Sequence, residues 1–283
     1  MKYKSTEVVL QEKWKDGVLY LQYPLLQNTD LVRHGFSTRI GGVSKEHLGT
    51  MNLSFTRGDD EEAVRENFRR IAKAIGVEED SFVFSQQTHT ANVRKVTEND
   101  RGKGIAVPLD YQDVDGLITD VPGLCLTTFY ADCVPLYFVD PVHKAIGLSH
   151  SGWKGTVSKI GQVTLQKMAE EYGTNPADVL VAIGPSICQD CYEVSEDVIV
   201  QFQSVFSNEH WNELYYKKPN GKYQLDLWKA NEVLLLETGV QRKNLSVTNL
   251  CTCCNAEELF SHRASGGKRG NLAAFLALKK KEK

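Results

Sequence analysis

The segment from Cys133 to His150 carries a thiol at one end and an imidazole at the other. Two apolar stretches, Val134–Val139 and Ala145–Ser149, flank Asp140 and Pro141. Proline suits the second position of a type I turn, so the pattern predicts an antiparallel hairpin turning at Asp140–His143. With the turn centred between Pro141 and Val142, paired residue numbers sum to 283. Cys133 then faces His150, with Cβ atoms ~4.5–5.5 Å apart. A thiolate and an imidazole so placed can share a tetrahedral metal ion or act as nucleophile and base. A buried cysteine beside a partly exposed histidine is the ordinary alternative. His89, just after the strand-like Phe82–Phe84, offers a third donor, or else a hydrogen-bonded core or surface residue. A His/Cys/His set leaves a fourth coordination position open, which is how catalytic zinc is held.

Asp132 is the nearest carboxylate to Cys133 and a candidate proton shuttle. Adjacent strand residues point to opposite faces, so it reaches the site only where the backbone is irregular. Otherwise it caps a turn or hydrogen-bonds a ligand histidine. The remaining cysteines include Cys188-x-x-Cys191 and Cys251-Thr252-Cys253-Cys254. Together they could hold a structural metal, but Cys-x-Cys-Cys departs from the usual ribbon and knuckle spacings, and buried thiols are the default.

The elements that must position these groups mix strands and helices without strict alternation, which predicts an α+β fold with mixed, largely antiparallel sheets. Asp59, with Glu62 three residues on, predicts a helix carrying Val64, Phe68, Ile71 and Ile75 and stopping at Gly76. Further helices are expected from Val157 to Tyr172, after Ser195, from Asp226 to Gly239, and from Asn271 to Leu278, the last ending in a solvated Lys-rich tail. Strands are expected at Leu124–Phe129, Val134–Val139, Ala145–Ser149, Val179–Ile183 and Leu245–Asn249. No Pro/Gly/Ser-rich linker interrupts the chain, so residues 1–283 read as one domain. Hydrophobic residues at 41% and charged residues at 24% exclude disordered and fibrous classes. A formal charge of −3 gives no footprint for nucleic acid or an anionic membrane. Aliphatic runs such as Val233–Leu236 are far below the ~20 residues of a bilayer span. Residues 1–15 show no secretory signal. The expected setting is the cytoplasm, where seven cysteines serve as ligands, nucleophiles or core thiols.

Eight short blocks follow one another along the chain: His34–Ser44, Asn52–Ser54, Gln87–His89, Ala131–Pro135, His150–Gly155, Ala182–Pro185, Cys191–Val194 and Phe260–Arg263. In this order they resemble the YfiH-type family, long named multicopper polyphenol oxidase or laccase-domain proteins and now regarded as purine nucleoside phosphorylases. The likeness covers about residues 30–278. It implies a four-layer α/β/β/α fold and a zinc ion on His89, Cys133 and His150. It also implies phosphorolysis of adenosine, inosine and 5′-methylthioadenosine, with adenosine deamination beside it. The partners so implied are purine nucleosides and phosphate. Cys133 and Asp132 are then the residues nearest the chemistry. The family's frequent Arg-Arg is Arg263-Ala264 here.

The older name meets a simple obstacle. A laccase needs a trinuclear copper cluster held mostly by His-x-His pairs, and this chain has seven histidines and no such pair. A single copper could still enter a His₂Cys site in vitro, because copper binds most nitrogen and sulfur sites more tightly than zinc. A thiol hydrolase with Cys133 as nucleophile and His150 as base is a further alternative, though it has no use for a second imidazole on the same sulfur. For phosphate, Arg39 beside Gly41-Gly42 is the first choice, since a guanidinium grips phosphate bidentately. Arg263, Arg269 and Lys154 follow. Asn52 could meet a ribose hydroxyl or cap a turn, and Trp153 could stack on a purine or anchor the core.

Overall fold

The computed structural model describes residues 1–280. Its strands, in chain order, are β1 (Gln11–Lys15), β2 (Val18–Gln22), β3 (Val32–Ser37), β4 (Phe82–Phe84), β5 (Val93–Lys95), β6 (Gly116–Thr119), β7 (Cys125–Tyr130) and β8 (Val134–Asp140). They continue with β9 (Ala145–Ser151), β10 (Leu180–Ile183), β11 (Glu193–Val194), β12 (Tyr215–Lys217), β13 (Tyr223–Leu225), β14 (Leu245–Val247) and β15 (Leu272–Leu278). Two six-stranded sheets have the orders β1-β2-β3-β15-β7-β4 and β14-β10-β8-β9-β6-β5, with β11-β13-β12 beside them. The pairings of β4 with β7, β5 with β6 and β10 with β14 are parallel. The rest are antiparallel, as expected.

The two large sheets stack over an apolar layer that takes Leu21, Phe36, Leu126 and Leu276 from one and Tyr137, Ile146, Leu148 and Ala182 from the other. Helix Glu61–Ile75 covers the far side of the first sheet, setting Val64, Phe68 and Ile71 against Phe82, Phe275 and Ala277. Helices Ile160–Tyr172 and Leu227–Glu237 cover the far side of the second, with Met168 and Leu234 against Leu136, Phe138 and Val181. These are the four α/β/β/α layers that the resemblance implies. No helix among the described residues is long and apolar enough to cross a membrane.

Several elements depart from expectation for identifiable reasons. Asp60 rather than Asp59 caps the first long helix, accepting from Glu62 N at 3.0 Å. Asp59 instead accepts from Ser44 Oγ and Asn52 Nδ2. The helix expected from Val157 is broken by Lys159 at φ +56° into Trp153–Val157 and Ile160–Tyr172. The run from Asn271 to Leu278 is not a helix: it becomes β15, between β3 and β7. Leu and Ala favour helix intrinsically, but all seven residues of β15 are buried, and a strand buried on both faces shows no alternation to read. Lys279 and Lys280 therefore follow a strand and pair with Asp30 and Glu78. The rest of the Lys-rich tail lies outside the described residues.

The hairpin forms with a shifted register. Pro135 pairs with His150 and Asp140 with Ala145, so paired numbers sum to 285 rather than 283. Asp140 Oδ1 accepts from Val142 N and His143 N (2.9 and 3.0 Å). Lys144 at φ +53° then completes a loop two residues longer than expected. Cys133 is consequently diagonal to His150, not opposite it. A slip of one residue would have turned His150 to the other face of the sheet, whereas a slip of two preserves the face. Both residues still project into the layer between the sheets.

Candidate metal centre

One donor atom from each of His89, Cys133 and His150 lies within 4.8 Å of the other two. Cys133 Sγ is 4.0 Å from His89 Nε2, and the two imidazole centroids are 4.9 Å apart at 76°. Each side chain arrives from a different element. His150 is next to last in β9 and is 3% exposed. Cys133 immediately precedes β8. His89 sits in the loop after β4 with φ +66°. That loop docks on β7, because Gln87 Nε2 donates to Phe129 O and Gln87 Oε1 accepts from Phe129 N (2.7 and 2.6 Å).

Asp115, which sequence reasoning missed, organises the group from behind. It is fully buried. Its Oδ1 accepts from His150 Nδ1 at 2.8 Å and from His89 N at 3.0 Å. Its Oδ2 accepts from Thr88 N, Thr90 N and Thr90 Oγ1, each at 3.0 Å. The carboxylate thus fixes the His150 tautomer and leaves Nε2 as the free donor. Burial alone would raise its pKa, but hydrogen bonds from His150, Thr90 and Thr88 hold it down at about 2. Burial likewise pushes the Cys133 thiol up, yet the His150 charge and hydrogen bonds from both imidazoles win and hold it below its ordinary range. A thiolate is the form that ligates metal.

The donors fit a metal ion in chemistry and in space. Two imidazole nitrogens and a thiolate at these separations suit a tetrahedral ion with nitrogen at ~2.0–2.1 Å and sulfur at ~2.3 Å. Gly152 makes room for them: a Cβ there would lie 3.0 Å from both Cys133 Sγ and His89 Cδ2.

The three donors open onto a cavity of about 1030 Å³ that Asp132, Arg57, Arg263 and Arg269 also line. Asp132 enters it because its backbone is irregular, at φ +89°. Its oxygens accept from Thr252 Oγ1 (2.6 Å) and Arg263 N (2.7 Å), so it also ties two loops together. The contact with a candidate ligand histidine, His150, belongs to Asp115. Arg269 has a buried Nε with no partner. Burial and the nearby Arg57 guanidinium push its pKa down to about 10. Two mutually repelling guanidinium groups in one cavity suit an anion. Arg57 carries no motif that sequence alone could single out.

The other expected site residues are placed as follows. Arg39 does not line the cavity: Nε donates to Gly49 O and Nη1 to Ala256 O (2.8 and 2.9 Å), over the Phe260 ring. Asn52 is fully buried and its amide is engaged by Ser54, Asp59 and Asn271. Arg263 lines the cavity, but its guanidinium donates to Cys191 O and Glu193 O (3.2 and 2.9 Å). Lys154 is exposed and, with Trp153, lines a smaller cavity of about 220 Å³ that also touches His89 and Cys133.

Comparison with known proteins agrees with this architecture. The chain is 36% identical over 256 residues to the purine nucleoside phosphorylase YlmD of Bacillus subtilis, covering 89% of this chain and 91% of that one. It is 33% identical over 274 residues to the purine nucleoside phosphorylase LACC1 of Mus musculus, covering 94% of this chain and 59% of that one. The crystal structure of YlmD from Geobacillus stearothermophilus superposes with a TM-score of 0.88 at 33% identity, covering 96% of this chain and 99% of that one. Residues 33–279 match the family described as multi-copper polyphenol oxidoreductase laccase, and the chain belongs to that family.

Proposed function

We propose that the chain is a zinc-dependent purine nucleoside phosphorylase acting on adenosine, inosine and 5′-methylthioadenosine, with adenosine deamination as a second activity. The observation that carries this reading is the single cavity shared by His89, Cys133 and His150 with the guanidinium groups of Arg57 and Arg269. The names of the relatives support the same reaction. In phosphorolysis a phosphate oxygen bonds to C1′ of the sugar while the C1′–N9 bond breaks. The bonding pair leaves with the purine, which takes up a proton. Arg57 and Arg269 hold the phosphate and offset its charge. Phe129 and Tyr192, also on the cavity wall, offer faces on which a purine can stack. His89, Cys133 and His150 hold zinc, which when bound supplies Lewis acidity. Asp115 keeps His150 in the ligating tautomer.

The test is product analysis with adenosine, with and without phosphate. Ribose 1-phosphate and adenine appearing only with phosphate support the phosphorylase. Inosine formed without phosphate supports deamination. Formation of neither set of products would reject the reading.

One observation favours a second reading. Asp115, His150 and Cys133 stand in the order of an acid, a base and a nucleophile, as a thiol hydrolase requires. His89 on the same sulfur favours the metal instead. Iodoacetamide labelling of Cys133 separates the two: zinc protects a ligand thiolate, whereas a free nucleophile is labelled equally with or without zinc.

A further inference from the structure

We propose a second metal site in this chain: a structural zinc ion held by Cys188, Cys191, Cys251 and Cys254. The four sulfurs all lie within 4.8 Å of one another, with Cys191 and Cys254 at 3.5 Å. A tetrahedral ion with sulfur at ~2.3 Å sets its ligand sulfurs about 3.8 Å apart, close to what is found here. All four are free thiols, and the 3.5 Å contact is far longer than the ~2.05 Å of a disulfide. An iron–sulfur cluster spreads its thiolates over several irons, so four sulfurs this close together suit one ion. Cys253 is the member of the Cys-x-Cys-Cys run that stays out, which leaves two Cys-x-x-Cys pairs, the spacing of structural zinc sites.

Backbone amides point at the cluster. Cys251 is 0% exposed and accepts from two backbone N–H groups, Cys188 N at 3.3 Å and Cys254 N at 3.4 Å. The two loops are also joined through their backbones, Thr252 N donating to Ser186 O. Asn255 brings in the start of the chain, with Nδ2 donating to Lys2 O and Cys251 O (3.0 and 2.8 Å). The same loops build one wall of the large cavity. Thr252 and Arg263 N hold Asp132, while Cys191 O accepts from Arg263. The ion therefore secures the wall that carries Asp132 and Arg263, without touching substrate itself.

The test counts metal in Cys133→Ala protein, which lacks the only sulfur of the first centre. This variant is expected to keep one zinc per chain, and after cobalt exchange to show intense thiolate-to-cobalt charge-transfer absorption. Adding Cys191→Ser and Cys254→Ser should remove both. A Cys133→Ala protein without bound zinc, with iron in its place, or with cobalt but no charge-transfer band overturns the proposal. Because the decisive sample keeps all four cysteines, the result does not depend on whether the triple variant folds. It is also independent of whether His89, Cys133 and His150 bind metal. Failure of the nucleoside assay would leave it standing.

Discussion

Gly152 stands where a methyl group would press on Cys133 Sγ and His89 Cδ2, each only 3.0 Å from the place a Cβ would occupy. Its φ of −73° is ordinary, so space rather than backbone freedom requires glycine. Gly152→Ala is expected to weaken retention of the proposed metal ion ~10-fold or more, as disturbed supports of metal ligands do. A chelator-competition titration measures this, and unchanged affinity would mean that the ion is not held between those side chains. The arginines divide by the same local logic. Arg269→Ala should raise the KM for phosphate by roughly 10–100-fold, from charge-assisted bonds of ~1.5–3 kcal/mol, and leave the proposed deamination much less affected. Arg39→Ala should lower the melting temperature while sparing phosphate KM, because its guanidinium bonds Gly49 O and Ala256 O away from the cavity. Matched losses of both activities in Arg269→Ala would assign it to the nucleoside or the fold. Donor chemistry made His89, Cys133 and His150 legible in the sequence. Asp115 was not, since its partner His150 lies 35 residues away and only tertiary packing joins them.

The β8–β9 hairpin carries Cys133 and His150, and its turn sets their register. Asp140 has a fully buried side chain that accepts from Val142 N and His143 N and meets His143 Nδ1 at 2.9 Å. Burial raises its pKa, but the nearby Thr174 hydroxyl and hydrogen bonds from His143 and Val142 outweigh burial and leave it below the ordinary aspartate value. A depressed carboxylate stabilises the fold fully above its unfolded pKa and loses that contribution as pH falls through its folded value. Asp140→Ala should therefore cost about 1–3 kcal/mol near neutral pH, and the penalty should shrink below about pH 4. Urea unfolding at about pH 7 and about pH 3, on either side of that range, tests this, and a penalty independent of pH would refute it. The sequence displayed this hairpin because Asp-Pro punctuates two apolar runs, but it could not display how many residues the turn would take. The parity of the faces survived only because the error was even. In β15 the sequence misled outright: a Leu/Ala run buried on both faces carries no period, and propensity pointed to helix.

At the scale of the molecule, the apolar layer between the sheets joins them into one packed unit. Its members run from Val9 to Leu278 and come from both large sheets, so neither sheet can leave without exposing the other. Two tyrosines bolt the sheets together from opposite sides. Tyr137 of β8 donates to Gly35 O of β3 at 3.0 Å, and Tyr130 of β7 donates to Ser149 O of β9 at 3.1 Å. Tyr137→Phe keeps the ring and deletes one of these bonds at a fully buried site, which should cost about 1–3 kcal/mol. For a chain of this size that lowers the melting temperature by a few degrees, at ~2–4 °C per kcal/mol. Calorimetry is expected to show a single transition in both wild type and Tyr137→Phe, moved down in the variant and not split. Two resolved transitions in the wild type would mean that the sheets unfold separately and that residues 1–283 comprise more than one domain. A split that appears only in Tyr137→Phe would show that the tyrosine, more than the shared apolar layer, couples the sheets.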